Sequence, residues 1–119
     1  MSHTVLLVDD EPDIVLVARV LLEQAGYRVI EASGGKEALE LLETQEPDVM
    51  FLDLGMPGTD GWGVLEELRR RDMQLPVIVL SANAHPSTLE RTRKLGARGY
   101  VEKPFRRADL TEALEAVLA

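Results

Sequence analysis

Five short apolar runs alternate with amphipathic stretches along the chain, and that alternation is the first clue to its architecture. The runs are Thr4–Val8, Arg28–Ala32, Val49–Asp53, Val77–Ser81 and Gly99–Glu102. Three of them carry unbroken apolar segments, Val-Leu-Leu-Val, Val-Met-Phe-Leu and Val-Ile-Val-Leu. Strands read this way when both faces of a parallel sheet are covered. The second run, Arg-Val-Ile-Glu-Ala, is mixed and predicts an edge strand. Between the runs, apolar residues recur at helical spacing. Ile14, Ala18, Leu21 and Leu22 mark a first helix, stopped by Gly26 where a C-terminal cap prefers glycine. Ala38, Leu39, Leu41 and Leu42 mark a second, closed before Pro47. Val64, Leu65 and Leu68 mark a third, opened by Asp60-Gly61 and ended before Pro76. A fourth, near Pro86–Leu95, is the least apolar, with Leu89 and Leu95 as its clearest anchors. The fifth carries Leu110, Ala113, Leu114, Val117 and Leu118. A (βα)5 alternation predicts an α/β domain: a parallel sheet, right-handed crossovers and helices on both faces.

Length and composition narrow the picture. The 119 residues suit one domain, read here as spanning 1–119 with no effector domain visible. A hydrophobic fraction of 45% with 29% charged residues is that of a globular chain. No apolar run reaches the roughly 18 residues of a membrane span. Asp9 and Asp10 interrupt the first run before a signal peptide could form. Cysteine is absent, which excludes disulfides and thiolate metal sites, and a cytoplasmic location is the default expectation. The net charge of −8 argues against direct nucleic-acid binding and is unevenly spread. Residues 1–60 hold 13 acids and 3 bases, whereas residues 61–119 hold 8 acids and 10 bases. This split suggests an acidic region and a separate, more basic face.

Ligands of open parallel sheets bind at the carboxyl ends of the strands, so the last residue of each run is where chemistry is expected. The first run ends in Asp9-Asp10-Glu11, the third in Asp53, the fourth in Ser81, and the fifth leads into Lys103-Pro104. Each has a bland reading. Asp10 could cap the first helix, Ser81 could cap a helix or shape a turn, and Lys103 could be a solvated charge. Asp53 is harder to dismiss, because it sits at the mouth of a buried strand where an unpaired carboxylate is costly. Together, three carboxylates would raise one another's pKa unless a cation is present. Hard oxygen ligands suit Mg²⁺. An aspartate can act as nucleophile and form an aspartyl phosphate, with a lysine neutralising the transferring group.

The motifs LLVDDEP (6–12), FLDLGMPGTDG (51–61), VIVLSA (77–82) and GYVEKPF (99–105) resemble those of the receiver domain of two-component response regulators, the CheY-like superfamily. The resemblance runs over nearly the whole chain, in order and at family spacing. It implies a flavodoxin-like fold of strand order 2-1-3-4-5 and phosphorylation of Asp53 by a histidine kinase or histidine phosphotransfer protein. Carried over residue by residue, Asp10 and Asp53 would bind Mg²⁺ directly, Asp9 through water, and Gly55 through its backbone carbonyl. Ser81 and Tyr100 take the family's two switch positions, and Lys103 would pair with the phosphoryl group across a cis bond to Pro104. The implied domain is a signalling switch with an unidentified downstream protein partner, no membrane contact and no turnover beyond its own aspartyl phosphate.

Departures from the family pattern fall at Gly55, where many relatives carry a larger side chain, at Asn83, and at Gly96–Tyr100, which lacks the acidic pair of one DNA-binding class. A partner face is expected on Arg91, Arg93, Lys94, Arg98 and Arg106. Met56-Pro57-Gly58 reads as a loop former beside Asp53, and Trp62 as packed at the start of the third helix. His3 and His85 have no ligand spacing to each other. Two other readings compete. An aspartate-nucleophile phosphohydrolase would need a second aspartate where Gly55 stands. A pseudo-receiver would bind partners without phosphorylation, against the intact set of Asp9, Asp10, Asp53, Ser81 and Lys103.

Overall fold

The computed structural model describes residues 3–56, 60–82 and 85–118. Its strands are β1 (Thr4–Val8), β2 (Arg28–Ala32), β3 (Val49–Asp53), β4 (Val77–Ser81) and β5 (Gly99–Glu102), each matching its apolar run. The helices between and after them are α1 (Pro12–Gln24), α2 (Gly35–Leu41), α3 (Gly61–Arg70), α4 (Pro86–Lys94) and α5 (Arg107–Leu118). All pairings are parallel, in the order β2-β1-β3-β4-β5, the flavodoxin-like arrangement. The mixed second run does lie at an edge. Pro57 and Gly58 of the expected loop former, and Asn83, lie outside the described residues.

Side chains alternate across a strand, so each strand feeds two cores. Leu6, Val8, Met50, Leu52, Val77 and Val79 point to one face, where they meet Ala38 of α2 and Val64, Leu65 and Leu68 of α3. Val5, Leu7, Val49, Phe51, Ile78, Leu80 and Val101 point to the other, against Ala18 and Leu22 of α1 and Leu110 and Leu114 of α5. This double covering explains why β3 and β4 are buried at every position.

Helix ends follow local chemistry. Gly26 has φ of +95°, a left-handed conformation that glycine adopts without strain, and ends α1 as its sequence position predicts. Asp60 caps α3, its side chain accepting a 2.9 Å hydrogen bond from the Gly63 amide. Three of the readings weighed from the sequence change. Asp10 does not cap α1. The N-cap position is Glu11, without a side-chain hydrogen bond, and Pro12 at the first helical position removes one of the amides that would need a partner. In α4 the buried residue is Thr92, while Leu89 and Leu95 are only half-buried. The Thr92 hydroxyl donates to the Leu89 carbonyl at 2.7 Å, which lets a polar side chain enter the core. Nor is Ser81 a helix cap: His85 occupies the N-cap of α4 and accepts from the Ser87 amide at 3.1 Å.

Candidate functional site

Strand register builds the site. Val8 pairs with Leu52, so the next residues, Asp9 and Asp53, stand side by side at the carboxyl edge of the two central strands. Ser81 pairs with Glu102, which delivers Lys103 to the same edge one residue later. The Lys103–Pro104 bond is cis, and the Lys103 amide donates to the Ser81 carbonyl at 2.9 Å. Lys103 Nζ lies 2.8 Å from Asp9 Oδ2, 3.3 Å from Glu11 Oε1 and 3.4 Å from Asp53 Oδ1. The lysine read in isolation as a solvated charge is therefore largely enclosed, its side chain 11% exposed.

Asp9 and Asp53 are both buried, and each feels the loss of water. Burial pushes the Asp53 carboxyl above the usual range. The Gly55 amide, donating to Oδ1 at 3.2 Å, pulls it back down. Asp9 raises it further, and Lys103 opposes both. Burial alone would lower the Lys103 ammonium, but Asp9, Asp53 and Glu11 more than offset that and hold it above its ordinary value. The two shifts differ in origin: burial dominates at Asp53, whereas the surrounding carboxylates outweigh burial at Lys103.

Asp9, Asp10, Glu11 and Asp53 can each direct one carboxylate oxygen so that all four lie within 4.8 Å of one another. Asp9 Oδ2 is buried and has the Lys103 ammonium, at 2.8 Å, as its ion-pair partner. Its other oxygen accepts from the Glu11 amide at 2.9 Å. Four carboxylates facing one lysine make a net-negative oxygen cluster that fits a hard divalent cation such as Mg²⁺. Asp10 reaches this cluster from an exposed position at the rim. Gly55 lies beside it, exposed, and a Cβ there would touch nothing closer than Asp53 Oδ1 at 3.9 Å.

Asp53 pairs with Leu80, so Ser81 ends the neighbouring strand one residue beyond the partner of the acceptor. Ser81 ends β4, buried, while Tyr100 in β5 is half-buried against the α2–α3 core. Tyr100 also lines a groove of about 500 Å³ between α4 and β5, together with Leu89, Thr92, Arg93 and Ala97. Of the basic residues expected on a partner face, Arg91 is exposed and stacks on Trp62, and Arg106 is exposed and approaches Asp109 at 3.9 Å. Glu11 is a site residue that sequence reasoning did not select. Its adjacency to the acidic pair was visible, but the return of its side chain to Lys103 was not.

The family described as the response regulator receiver domain matches residues 5–115. The chain belongs to this family. Among curated relatives, the alkaline phosphatase synthesis transcriptional regulatory protein PhoP of Bacillus subtilis is 37% identical over 118 residues, covering 99% of this chain and 49% of that protein. The probable transcriptional regulator ycf27 of Guillardia theta is 42% identical over 117 residues, covering 98% of this chain and 46% of that protein. The chain thus spans about half the length of the curated relatives it matches. Among solved structures, the chemotaxis protein CheY4 of Vibrio cholerae superposes with a TM-score of 0.92 at 29% identity, covering 98% of this chain and 99% of that one. The receiver domain of Francisella response regulator 1452 gives 0.91 at 33% identity, covering 97% of this chain and 95% of that one. This receiver domain carries an acidic pocket at the strand ends. Among the described residues, no helix is long and apolar enough to cross a membrane.

Proposed function

We propose that this chain is the phosphoryl-accepting switch of a two-component phosphorelay, acting in the cytoplasm, with Asp53 as the acceptor. The observation that carries this reading is the convergence of buried Asp9 and Asp53 with Lys103 at the carboxyl ends of β1, β3 and β5. Asp53 Oδ attacks the phosphorus of a phosphohistidine on a histidine kinase or phosphotransfer protein. The new O–P bond forms as the P–N bond breaks, and the imidazole nitrogen keeps the electron pair. Asp10 and Asp53 would hold Mg²⁺ directly, with the Gly55 carbonyl, and Asp9 through water. When bound, Mg²⁺ supplies positive charge to the phosphoryl oxygens. Lys103 supplies a second, from an ammonium already drawn toward Asp53.

The donor protein is proposed to dock over α1, whose Leu16, Val17 and Val20 are exposed although apolar. Leu16 also lines a groove with Asp9, Asp10 and Pro12, so this surface borders the acceptor pocket. On phosphorylation Ser81 donates a hydrogen bond to a phosphoryl oxygen, Tyr100 follows it inward, and α4 and β5 shift to present a partner face. The α4–β5 groove supports this, since it leaves room for Tyr100 and α4 to move.

The test is intact mass after incubation with Mg²⁺ and phosphoramidate, with Asp53→Asn as control. A gain of one phosphoryl group in the native chain, abolished by EDTA and absent from the variant, is the expected result. No gain, together with no binding of beryllofluoride, would refute the proposal.

A further inference from the structure

Helix α4 is unevenly attached. It buries one residue, Thr92, and a groove of about 500 Å³ runs along its β5 side. On its other side it is tied to α3 by two long side chains. The Arg91 guanidinium lies over the Trp62 ring, its Cζ 4.1 Å from the ring centroid. Arg69 Nη1 donates to the Lys94 carbonyl at 2.6 Å, at the C-terminal end of α4 where unsatisfied carbonyls favour a cation.

The α3 end of this attachment is rigid. Val64, Leu65 and Leu68 are buried, and the Asp60 side chain fixes the first turn. Gly61, next to Trp62, packs on the backbone of the acceptor strand. A Cβ built on it would run into the Asp53 carbonyl oxygen and come within 2.7 Å of Leu54 Cα. A continuous series of contacts therefore runs from the Asp53 backbone through Gly61 and Trp62 to Arg91 on α4. It involves neither Ser81 nor Tyr100.

We infer that the Arg91–Trp62 stack is a second coupling element, a latch that holds α4 against α3 and that phosphorylation of Asp53 must loosen. This rests on the reading of Asp53 as phosphoacceptor. Contacts adjacent in space do not by themselves make a pathway, so the claim is one of energetic linkage. If the latch stabilises one position of α4 and occupancy of Asp53 favours another, removing the latch must tighten ligand binding at Asp53. A weakly buried cation–π contact is a small term, which sets the expected effect at about 2- to 5-fold.

The experiment uses beryllofluoride with Mg²⁺ as the phosphoryl mimic, with binding followed by ¹⁹F NMR and α4 by the emission of Trp62, the single tryptophan. In the native chain, binding shifts the Trp62 emission. In Arg91→Gln the emission starts displaced, the response is lost, and beryllofluoride binds about 2- to 5-fold more tightly. Arg91→Lys, which keeps the cation, restores part of both. Equal emission responses in native and Arg91→Gln protein, or unchanged or weaker binding in the variant, would overturn the latch. If the native chain shows no bound fluoride and gains no phosphoryl group from phosphoramidate, the phosphoacceptor reading fails, and hydrogen exchange then judges the latch alone. Amides of α4 should exchange about 2- to 5-fold faster in Arg91→Gln, and unchanged exchange would overturn it.

Discussion

Gly61 is the position where one added methyl group should do the most damage to the architecture of the site. The Cβ of Gly61→Ala would collide with the Asp53 carbonyl and approach Leu54 Cα at 2.7 Å and Leu54 Cδ2 at 3.0 Å. Two of these three neighbours are backbone atoms of the segment that carries the acceptor, so rotamer changes cannot relieve the clash. Overpacking of this kind costs about 1–3 kcal/mol. Alanine recovers at most about 1 kcal/mol over glycine in a helix interior, and less at the first helical residue. The net loss is then about 1–2 kcal/mol. For a chain of 119 residues this corresponds to a fall in Tm of roughly 4–8 °C. Far-UV circular dichroism during heating, with urea titration for the free energy, measures it. Gly55→Ala is the control, since its Cβ would meet only Asp53 Oδ1 at 3.9 Å, and its stability should stay within about 0.5 kcal/mol of the native chain. A Gly61→Ala protein as stable as the native one would show that α3 is not seated on β3 as described. The rigid end of the α3–α4 connection would then be lost from the account.

Asp53→Asn should stabilise the chain at neutral pH in EDTA. Burial and Asp9 hold the Asp53 carboxyl above its unfolded value of 3.8, so the folded chain binds this proton more tightly than the unfolded one. The charged form therefore costs stability at pH 7, a cost relieved as pH falls through the raised folded value toward 3.8. The variant's higher Tm should shrink over that window, and also on adding Mg²⁺, which binds the native carboxylates. An Asn variant less stable than the native chain at pH 7 without metal would contradict this electrostatic reading. Asp60→Ala removes the α3 cap and should cost about 1 kcal/mol, seen as a Tm lower by roughly 4 °C. An unchanged Tm would mean that the hydrogen bond to the Gly63 amide contributes nothing net.

The strands were legible because their signal is redundant. Continuous apolar runs of four or five residues, alternating with helical periodicity, fit the strands of a sheet covered on both faces. Placement of Asp9, Asp53, Ser81 and Lys103 at strand ends followed from that alone, because register converts sequence position into spatial adjacency. What the sequence left unread has several physical causes. Thr92 was overlooked as the buried residue of α4 because hydropathy does not record that a hydroxyl can satisfy itself on the preceding turn. Asp10 was weighed as a helix cap because its residue type favours that role, whereas Pro12 reduces the need for a cap and leaves Asp10 at the carboxylate cluster. The reach of Glu11 to Lys103 and of Arg91 to Trp62 depends on the rotamers of long side chains, which periodicity does not encode.

Localising the phosphoryl group tests the central claim most directly. The chain would be treated with phosphoramidate and Mg²⁺ and reduced with borohydride, which converts an aspartyl phosphate to homoserine, and its peptides would then be mapped by mass. The account predicts homoserine at position 53 alone, in a reaction that requires Mg²⁺. Homoserine at Asp9 or Asp10, or its absence from a chain that also fails to bind beryllofluoride, would contradict it.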